Sequence, residues 1–438
     1  MPMLDWIRSL TRDAFRWCDM HPRKGLFVIL LLASAVITGR LVTETPTFDD
    51  GQTDNYWPLA NNLIDGQGYS LCYPLYFPFC NSQNQATAMR EPLPALVFAA
   101  VVWITGSSLE ATVVVMTALF MAILLVLYGF ARSWLGQRAA WLAALFWAFC
   151  LPAIKLLNQL SGDLMGTFFL VAASWALLHA SRTGRIRHWM LTGACLGLGM
   201  LSRSALIVLI LPWLIAVAWF SWRRQNRYTY VLRSLAAFAL AITMVLAPWV
   251  IRNHQVFGKV IVGTTMNGYN VFRNSHQVST PDYLRFIDHV EADSLTKQMV
   301  ARRTDLTGQE NEAEMDAVYR YEGLQVVKAH FGRYLVLCLW RAIPLWTNWG
   351  VNQAYGVPII AMDHLIVIQQ LLLLVLMIIG MRRIGWVAWP WAAAIAIVVV
   401  AYMALVAQVR YLVPILPLVI CFAAVGCLHL FRADPKAS

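Results

Sequence analysis

The chain has 438 residues, of which 59% are hydrophobic and only 13% charged, and its mean hydropathy is +0.58. That balance excludes an ordinary soluble domain and makes lipid the solvent around most of the chain, so helices must dominate. The net charge of +11 does not point to nucleic acid, because the basic residues sit in short clusters between apolar runs, where they set topology against anionic membrane lipids.

In chain order, residues 1–25 interleave Arg8, Arg12, Arg16, Arg23 and Lys24 with Trp6, Leu10, Phe15 and Trp17, a pattern that predicts a helix lying on the cytoplasmic membrane surface. The first apolar run begins near Leu26 without a small-residue cleavage pattern, and is expected to stay as a spanning helix to Val42. A long polar loop, 43–92, follows. Further spans are predicted near 110–131, 139–156, 163–180, 189–202, 204–221, 234–251, 358–380, 386–406 and 411–431, an all-α polytopic membrane protein with about ten transmembrane helices. Two more apolar runs, 93–107 and 334–349, are short or interrupted by Pro, Arg and Trp, and are expected to lie in the interface or re-enter.

With that parity, Arg132, Arg138, Arg182, Arg185, Arg187, Arg223, Arg224, Arg227, Arg233, Arg382, Arg383, Arg432 and Lys436 share the cytoplasmic side with the N-terminal cluster. This positive-inside bias breaks if either ambiguous run becomes a full span. Both termini are then cytoplasmic, and function belongs to the outer loops; the Arg-rich, short-looped character points to a bacterial inner membrane with a periplasmic active site. The organisation read from the sequence is a cytoplasmic amphipathic segment 1–25, a transmembrane catalytic module 26–251 that includes the loop 43–92, a periplasmic segment 252–357, and C-terminal transmembrane helices 358–438. Within the third of these, 280–330 has helical spacing and many charges, which predicts an amphipathic helical cap with most charges solvated.

Five cysteines, Cys150, Cys195, Cys338, Cys421 and Cys427, lie in or beside apolar runs as packed thiols. Cys72 and Cys80 lie in a polar, aromatic outer loop, where an oxidising compartment favours a disulfide. The same loop places Asp49, Asp50 and Asp54 just past the first span. Carboxylates near a membrane surface are candidates for activating an acceptor hydroxyl, since desolvation and neighbouring like charge raise their pKa toward that of a general base; as solvated loop or capping residues they would carry no chemistry. Asp163 opens a span on the same face, as a second acidic site or a helix N-cap. Lys155, Arg203, Arg252 and Arg410 stand at outer helix ends against the positive-inside trend. A phosphate would account for them, with snorkelling or a local ion pair as the alternative.

These residues fall in segments that resemble a known family. YWPLANNLIDGQGYS from Tyr56, the REPLP element at Arg90–Pro94 with Glu91, LSGD ending at Asp163, GLGMLSRSALIVLILP containing Arg203, APWVIRNHQVFG at Ala247–Gly258 and VRYLVPILPL at Val409–Leu418 are similar, in order and spacing, to the polytopic GT-C glycosyltransferases. Within that group the chain resembles the dolichyl-phosphate-mannose protein mannosyltransferases and the aminoarabinose transferase of lipid A. The resemblance implies a sugar donor carried on polyprenyl phosphate, a glycan, lipid or protein acceptor, and an inverting single displacement at the anomeric carbon. A first-loop acid would serve as base, with Asp50 preferred and Asp49 and Asp54 close behind, because Gln52 stands where relatives often carry the acid. Asp163 would orient the acceptor or base. Arg203, Arg252, Arg410 and Lys155 would bind the phosphate, and Tyr56, Arg90, Glu91, Asn253 and Tyr411 would touch substrate. Tyr69, Tyr73, Tyr76 and Phe77 would stack on a sugar ring or the prenyl chain. Some relatives use a divalent cation near the acidic loop, but no spacing in this sequence specifies a metal site.

A lipid flippase or transporter would serve equally well with such a set of spans, but it would carry ionisable sites near mid-membrane, whereas the runs here keep their charges near the ends. An O-antigen-type ligase and a noncatalytic scaffold are further alternatives. Reporter fusions at residues 136 and 185 are expected to read as cytoplasmic and those at 85 and 290 as external; a reversal at any of the four breaks the parity argument.

Overall fold

A computed structural model describes residues 17, 20–43, 54–80, 84–106, 108–351 and 359–431. Most of the 1–25 segment, together with Asp49 and Asp50, lies outside them. The chain runs as α1 (Pro22–Thr43), α2 (Tyr56–Ile64), the strands β1 (Ser70–Leu71) and β2 (Gln85–Ala86), α3 (Pro92–Thr105), α4 (Leu109–Leu135), α5 (Gln137–Ala148), α6 (Leu151–Lys155), α7 (Asp163–Thr183), α8 (Ile186–Ser202), α9 (Ile210–Gln225) and α10 (Tyr228–Phe257). Short helices α11 (Asn267–Ser275), α12 (His289–Arg302), α13 (Glu312–Ala329), α14 (Phe331–Trp340) and α15 (Ala342–Thr347) follow, then α16 (Ala361–Ile384), α17 (Trp389–Leu405) and α18 (Leu416–Phe431). β1 and β2 pair antiparallel, Ser70 opposite Ala86.

Eight helices among the described residues are long and apolar enough to cross a membrane, and the chain is a multi-pass integral membrane protein. Two of the expected spans differ. The run 139–156 is two helices bent by 41°, because the chain breaks at Phe149–Cys150 before Pro152, whose ring cannot continue the preceding ladder. The run 189–202 is α8, of 17 residues, at the lower limit for a full crossing. The two ambiguous runs form no span: α3 has 14 residues, about 21 Å of helix against a core of roughly 30 Å, and α14 and α15 have 10 and 6. Helices α12 and α13 supply the expected cap, although two of its acids, Glu312 and Asp316, are buried or hydrogen-bonded into the core rather than solvated.

The helices alternate between two ends. At one end the turns are tied together by Arg182 donating to the Ser133 carbonyl (2.6 Å), Tyr230 donating to Gly184 (2.5 Å) and Arg383 facing His429 (2.7 Å). At the other end lie Asp54, Arg90, Asp163, Arg203 and Arg410. From α7 onward each long helix joins the two, so the Arg-rich turns and the candidate site residues are segregated as the charge pattern predicts.

Two contacts show how lipid-embedded helices hold without a hydrophobic drive between them. A side chain at Gly380 of α16 would meet the Phe422 carbonyl at 1.9 Å, and one at Gly426 of α18 would meet Leu376 at 2.0 Å, so these backbones touch directly, as small residues allow in membranes. At the α5–α6 break, the Gln369 amide of α16 donates to the Phe149 carbonyl (2.6 Å) and accepts from the Leu151 N–H (2.9 Å), satisfying groups the interrupted helix leaves open. Gly380→Leu should lower the unfolding temperature in detergent by the overpacking cost of about 1–3 kcal/mol or more. Gly332→Ala, with nothing within 4 Å, should leave it unchanged or higher; equal behaviour of the two would remove the contact's importance.

Candidate active site

The residues nearest the end of the first loop are held in an uncommon backbone shape. Asp54 has φ +46° and Asn55 φ +64°, a left-handed turn that asparagine tolerates and aspartate adopts at a cost of about 1–3 kcal/mol. Surrounding contacts impose it. Arg90 Nε donates to the Asp54 carbonyl at 2.7 Å, and Arg410 Nη2 reaches both carboxylate oxygens, at 2.9 and 3.1 Å. Burial pushes the Asp54 carboxyl up, but Arg410, Arg90 and Arg203 pull harder, and it is held below the usual carboxylate range.

Arg90 and Glu91 stand on a short extended turn before α3, where Pro92 opens the helix. Glu91 is buried; its Oε2 accepts from the Tyr56 hydroxyl (2.8 Å) and its Oε1 from the Ser204 N–H (2.7 Å), so it joins the first loop to the start of the span Ser204–Gln225. Asp163, expected as an acceptor-orienting acid or an N-cap, is not the cap. The cap is Gly162, without a side-chain hydrogen bond, and Asp163 is fully buried against Arg203, Nε to Oδ1 3.1 Å. Gly162 permits this, because a side chain there would meet the Ser202 carbonyl at 1.9 Å. Arg203 also lies 4.8 Å over the Tyr411 ring, and Tyr411 stacks on Tyr402 at 5.1 Å and 9°.

Asp54, Arg90, Glu91, Lys155, Arg203, Arg410 and Tyr411 thus line one cavity of about 650 Å³. Lys155 is paired with Asp363 at 3.0 Å. The buried Arg410 Nε has no hydrogen-bond partner among the described residues, leaving it a donor for a ligand. Four other expected residues serve from behind the wall. Tyr56 is 1% exposed and orients Glu91. Arg252 donates to the carbonyls of Thr87 (2.7 Å) and Tyr69 (2.9 Å) and to Asn253 (3.0 Å), and Asn253 donates to Ile261 (3.1 Å); Arg252 pins the first loop to α10 and Asn253 the segment that follows α10, and neither lines the cavity. Tyr69 does the same, donating to the Arg90 carbonyl (3.0 Å). Cys72 and Cys80 form the expected disulfide.

The sequence reading missed Asp363, Tyr402 and the group Tyr269, Asn270 and Arg273 that closes the cavity from the outer segment. Asp363 carried a signal, a lone acid opening an apolar run on the site side. The outer group carried none, since its segment reads as solvated. A divalent cation has no ligand set among the described residues: Asp54 and Glu91 are committed to the partners above, and no three His, Cys, Asp or Glu side chains come together.

Residues 89–249 match the family described as dolichyl-phosphate-mannose-protein mannosyltransferase. The chain is 31% identical over 124 residues to an undecaprenyl phosphate-alpha-4-amino-4-deoxy-L-arabinose arabinosyl transferase of Erwinia tasmaniensis, a stretch covering 27% of this chain and 22% of that protein. Its fold matches the Archaeoglobus fulgidus oligosaccharyltransferase tethered with an acceptor peptide, at TM-score 0.54 and 16% identity over 96% of this chain and 52% of the other. The same enzyme with an inhibitory peptide and a dolichol-phosphate matches at 0.54 and 14%, over 96% and 53%. The chain has the GT-C fold, and residues 89–249 match this family. It spans about a fifth of the length of the curated relative (22%) and about half that of the oligosaccharyltransferase (52%), and the GT-C fold covers α1 through α18.

Removing one half of the buried Asp163–Arg203 pair should cost about 3–5 kcal/mol. Chemical unfolding in detergent should therefore show Asp163→Leu strongly destabilised and the Asp163→Leu/Arg203→Met double variant largely recovered; equal loss in both would mean the pair does not act as a unit.

Proposed function

We propose that this GT-C protein transfers a single sugar from a polyprenyl-phosphate donor to an acceptor hydroxyl on the periplasmic face of a bacterial inner membrane. The observation that carries the reading is a cavity bounded by spanning helices that holds the Asp54 carboxylate against Arg410 and Arg90 and is lined as well by the cations Arg203 and Lys155. Asp54 can accept a proton, and the cations can take up charge that develops on a departing phosphate.

In this reading the acceptor hydroxyl gives its proton to Asp54 as its oxygen bonds to the anomeric carbon. The bond from that carbon to the phosphate oxygen breaks, the electron pair leaves on the polyprenyl phosphate, and attack from the opposite side inverts the configuration. Arg203 and Arg410 meet the phosphate, Arg through its planar fork, and Lys155 adds a point charge. Arg410 is shared between Asp54 and the phosphate position. Donor binding would therefore draw its charge away from Asp54 and raise that carboxyl's basicity when the acceptor arrives. The family match over residues 89–249 and the named lipid carrier of the curated relative support a lipid-linked donor. The segregation of Arg-rich turns from the site supports the outer-face placement.

Transfer from radiolabelled polyprenyl-phosphate sugars into membrane extract should fall about 10²–10⁴-fold in Asp54→Asn and little in Asp49→Asn and Asp50→Asn. Because its guanidinium neighbours lower the pKa of the Asp54 carboxyl in the free protein, the acid limb of kcat/KM, which reports the free enzyme, should lie below the ordinary carboxylate value of about 4, and Arg90→Gln should move it upward. Full activity in Asp54→Asn with loss in Asp50→Asn would reassign the base, and lipid movement between leaflets without transfer would return the flippase reading.

A further inference from the structure

The cavity is lined by two chemically distinct sets of residues. One is formed by Arg203, Tyr402 and Tyr411 beside the apolar Ile207, Val208 and Leu405, which suits a phosphate with a prenyl chain. The other joins Asp54 and Arg90 to Tyr73, Tyr76, Tyr269 and Asn270. Tyr73 and Tyr76 come from the disulfide-closed segment Cys72–Cys80, and their rings lie 4.8 Å apart at 30°. Tyr76 packs edge-on against Tyr269 (4.8 Å, 71°), which is braced in turn by Tyr319 (5.3 Å, 86°). The Tyr76 phenol lies close enough to the Arg90 guanidinium to act on it electrostatically, so this aromatic wall abuts the residue that holds the Asp54 turn.

The wall is built to stay in place. The N–H groups of Tyr76 and Phe77 both donate to the Tyr73 carbonyl, at 3.0 Å each, forming a tight turn inside the disulfide loop. The loop's base is fixed by the β1–β2 pair and by Arg252 gripping the Tyr69 and Thr87 carbonyls. Phenol rings present flat faces to C–H groups, while phenol hydroxyls and amides exchange hydrogen bonds in both directions. A polyhydroxylated ring needs that combination. A peptide would need an open strand edge or a run of apolar pockets, and the strands among the described residues are a single pair of two residues each.

We propose that the Cys72–Cys80 loop is the acceptor-binding element of this protein and that the acceptor it receives is a saccharide ring rather than a peptide. This rests on the transferase reading above for the word acceptor, while the binding itself is measurable without any donor.

The test is saturation-transfer NMR on the full chain in lipid nanodiscs, with methyl glycosides of glucose, glucosamine, mannose and heptose as one set of probes and a Ser/Thr-containing octapeptide as the other. Undecaprenyl phosphate binding is followed in parallel by ³¹P NMR. We expect ring C–H saturation for at least one glycoside, none for the peptide, and roughly a tenfold weakening of the glycoside signal in Tyr73→Ala, in Tyr76→Ala, and in wild-type protein after reduction of the disulfide. Undecaprenyl phosphate binding should persist in each, which also shows that the variants are folded. Binding of the peptide alone, no ring saturation from any glycoside, or glycoside signals indifferent to all three changes would overturn the proposal. Loss of undecaprenyl phosphate binding in wild type with glycoside binding intact would count against the transferase reading and leave the saccharide site standing.

Discussion

The ion pair between Asp54 and Arg410 holds the site together. It joins the first outer loop to the start of the last span across 356 residues of sequence, and together with Arg90 on the Asp54 carbonyl it holds the left-handed turn at Asp54–Asn55. An ion pair in a partly buried cavity is poor evidence of stability, because desolvation offsets much of the attraction. Its value here is positional. The same guanidinium that pins Asp54 is the one a phosphate would recruit, so the resting pair keeps a carboxylate and a cation side by side at a point where chemistry needs both.

The remaining cations follow the same logic. Arg203 rests on buried Asp163 and lies over Tyr411, and Lys155 rests on Asp363. Arg410, Arg203 and Lys155 are each paired with an acid, which lets them sit against the positive-inside trend without a bare charge near lipid. The helices pay a local cost in regularity to put these groups in one place: α6 is broken from α5, and Arg203 and Arg410 both stand at extended or 3₁₀ segments between helices. Gln369 shows how the backbone tolerates one such break.

Much of this was legible in the sequence. The spans, the two-sided charge distribution and the disulfide follow from hydropathy, Arg placement and cysteine context, and the positions of Arg203, Arg410, Lys155 and Asp54 at outer helix ends were readable as anomalies. Direction was not. Arg252, Asn253 and Tyr56 sit in segments as family-like as the rest, yet their side chains turn to backbone carbonyls or to Glu91, and nothing in spacing tells a helix-end arginine that faces a cavity from one that clamps a loop. Asp163 likewise reads as an acid on the outer face, and only its burial shows that it faces Arg203. The outer wall of the cavity was hidden for a different reason: Tyr269, Asn270 and Arg273 are brought to the site by long-range packing of α11 on α13, which no local pattern encodes.

The most direct measurement of the central claim is ³¹P NMR titration of undecaprenyl phosphate into nanodiscs carrying the wild-type chain, Arg410→Gln and Arg252→Gln. If Arg410 is shared between carboxylate and phosphate, the wild-type chain shifts the phosphate resonance saturably, Arg410→Gln weakens binding about tenfold or more, as expected for loss of a charge-assisted contact, and Arg252→Gln leaves it near wild type. Equal binding in wild type and Arg410→Gln, or a loss confined to Arg252→Gln, would contradict the account.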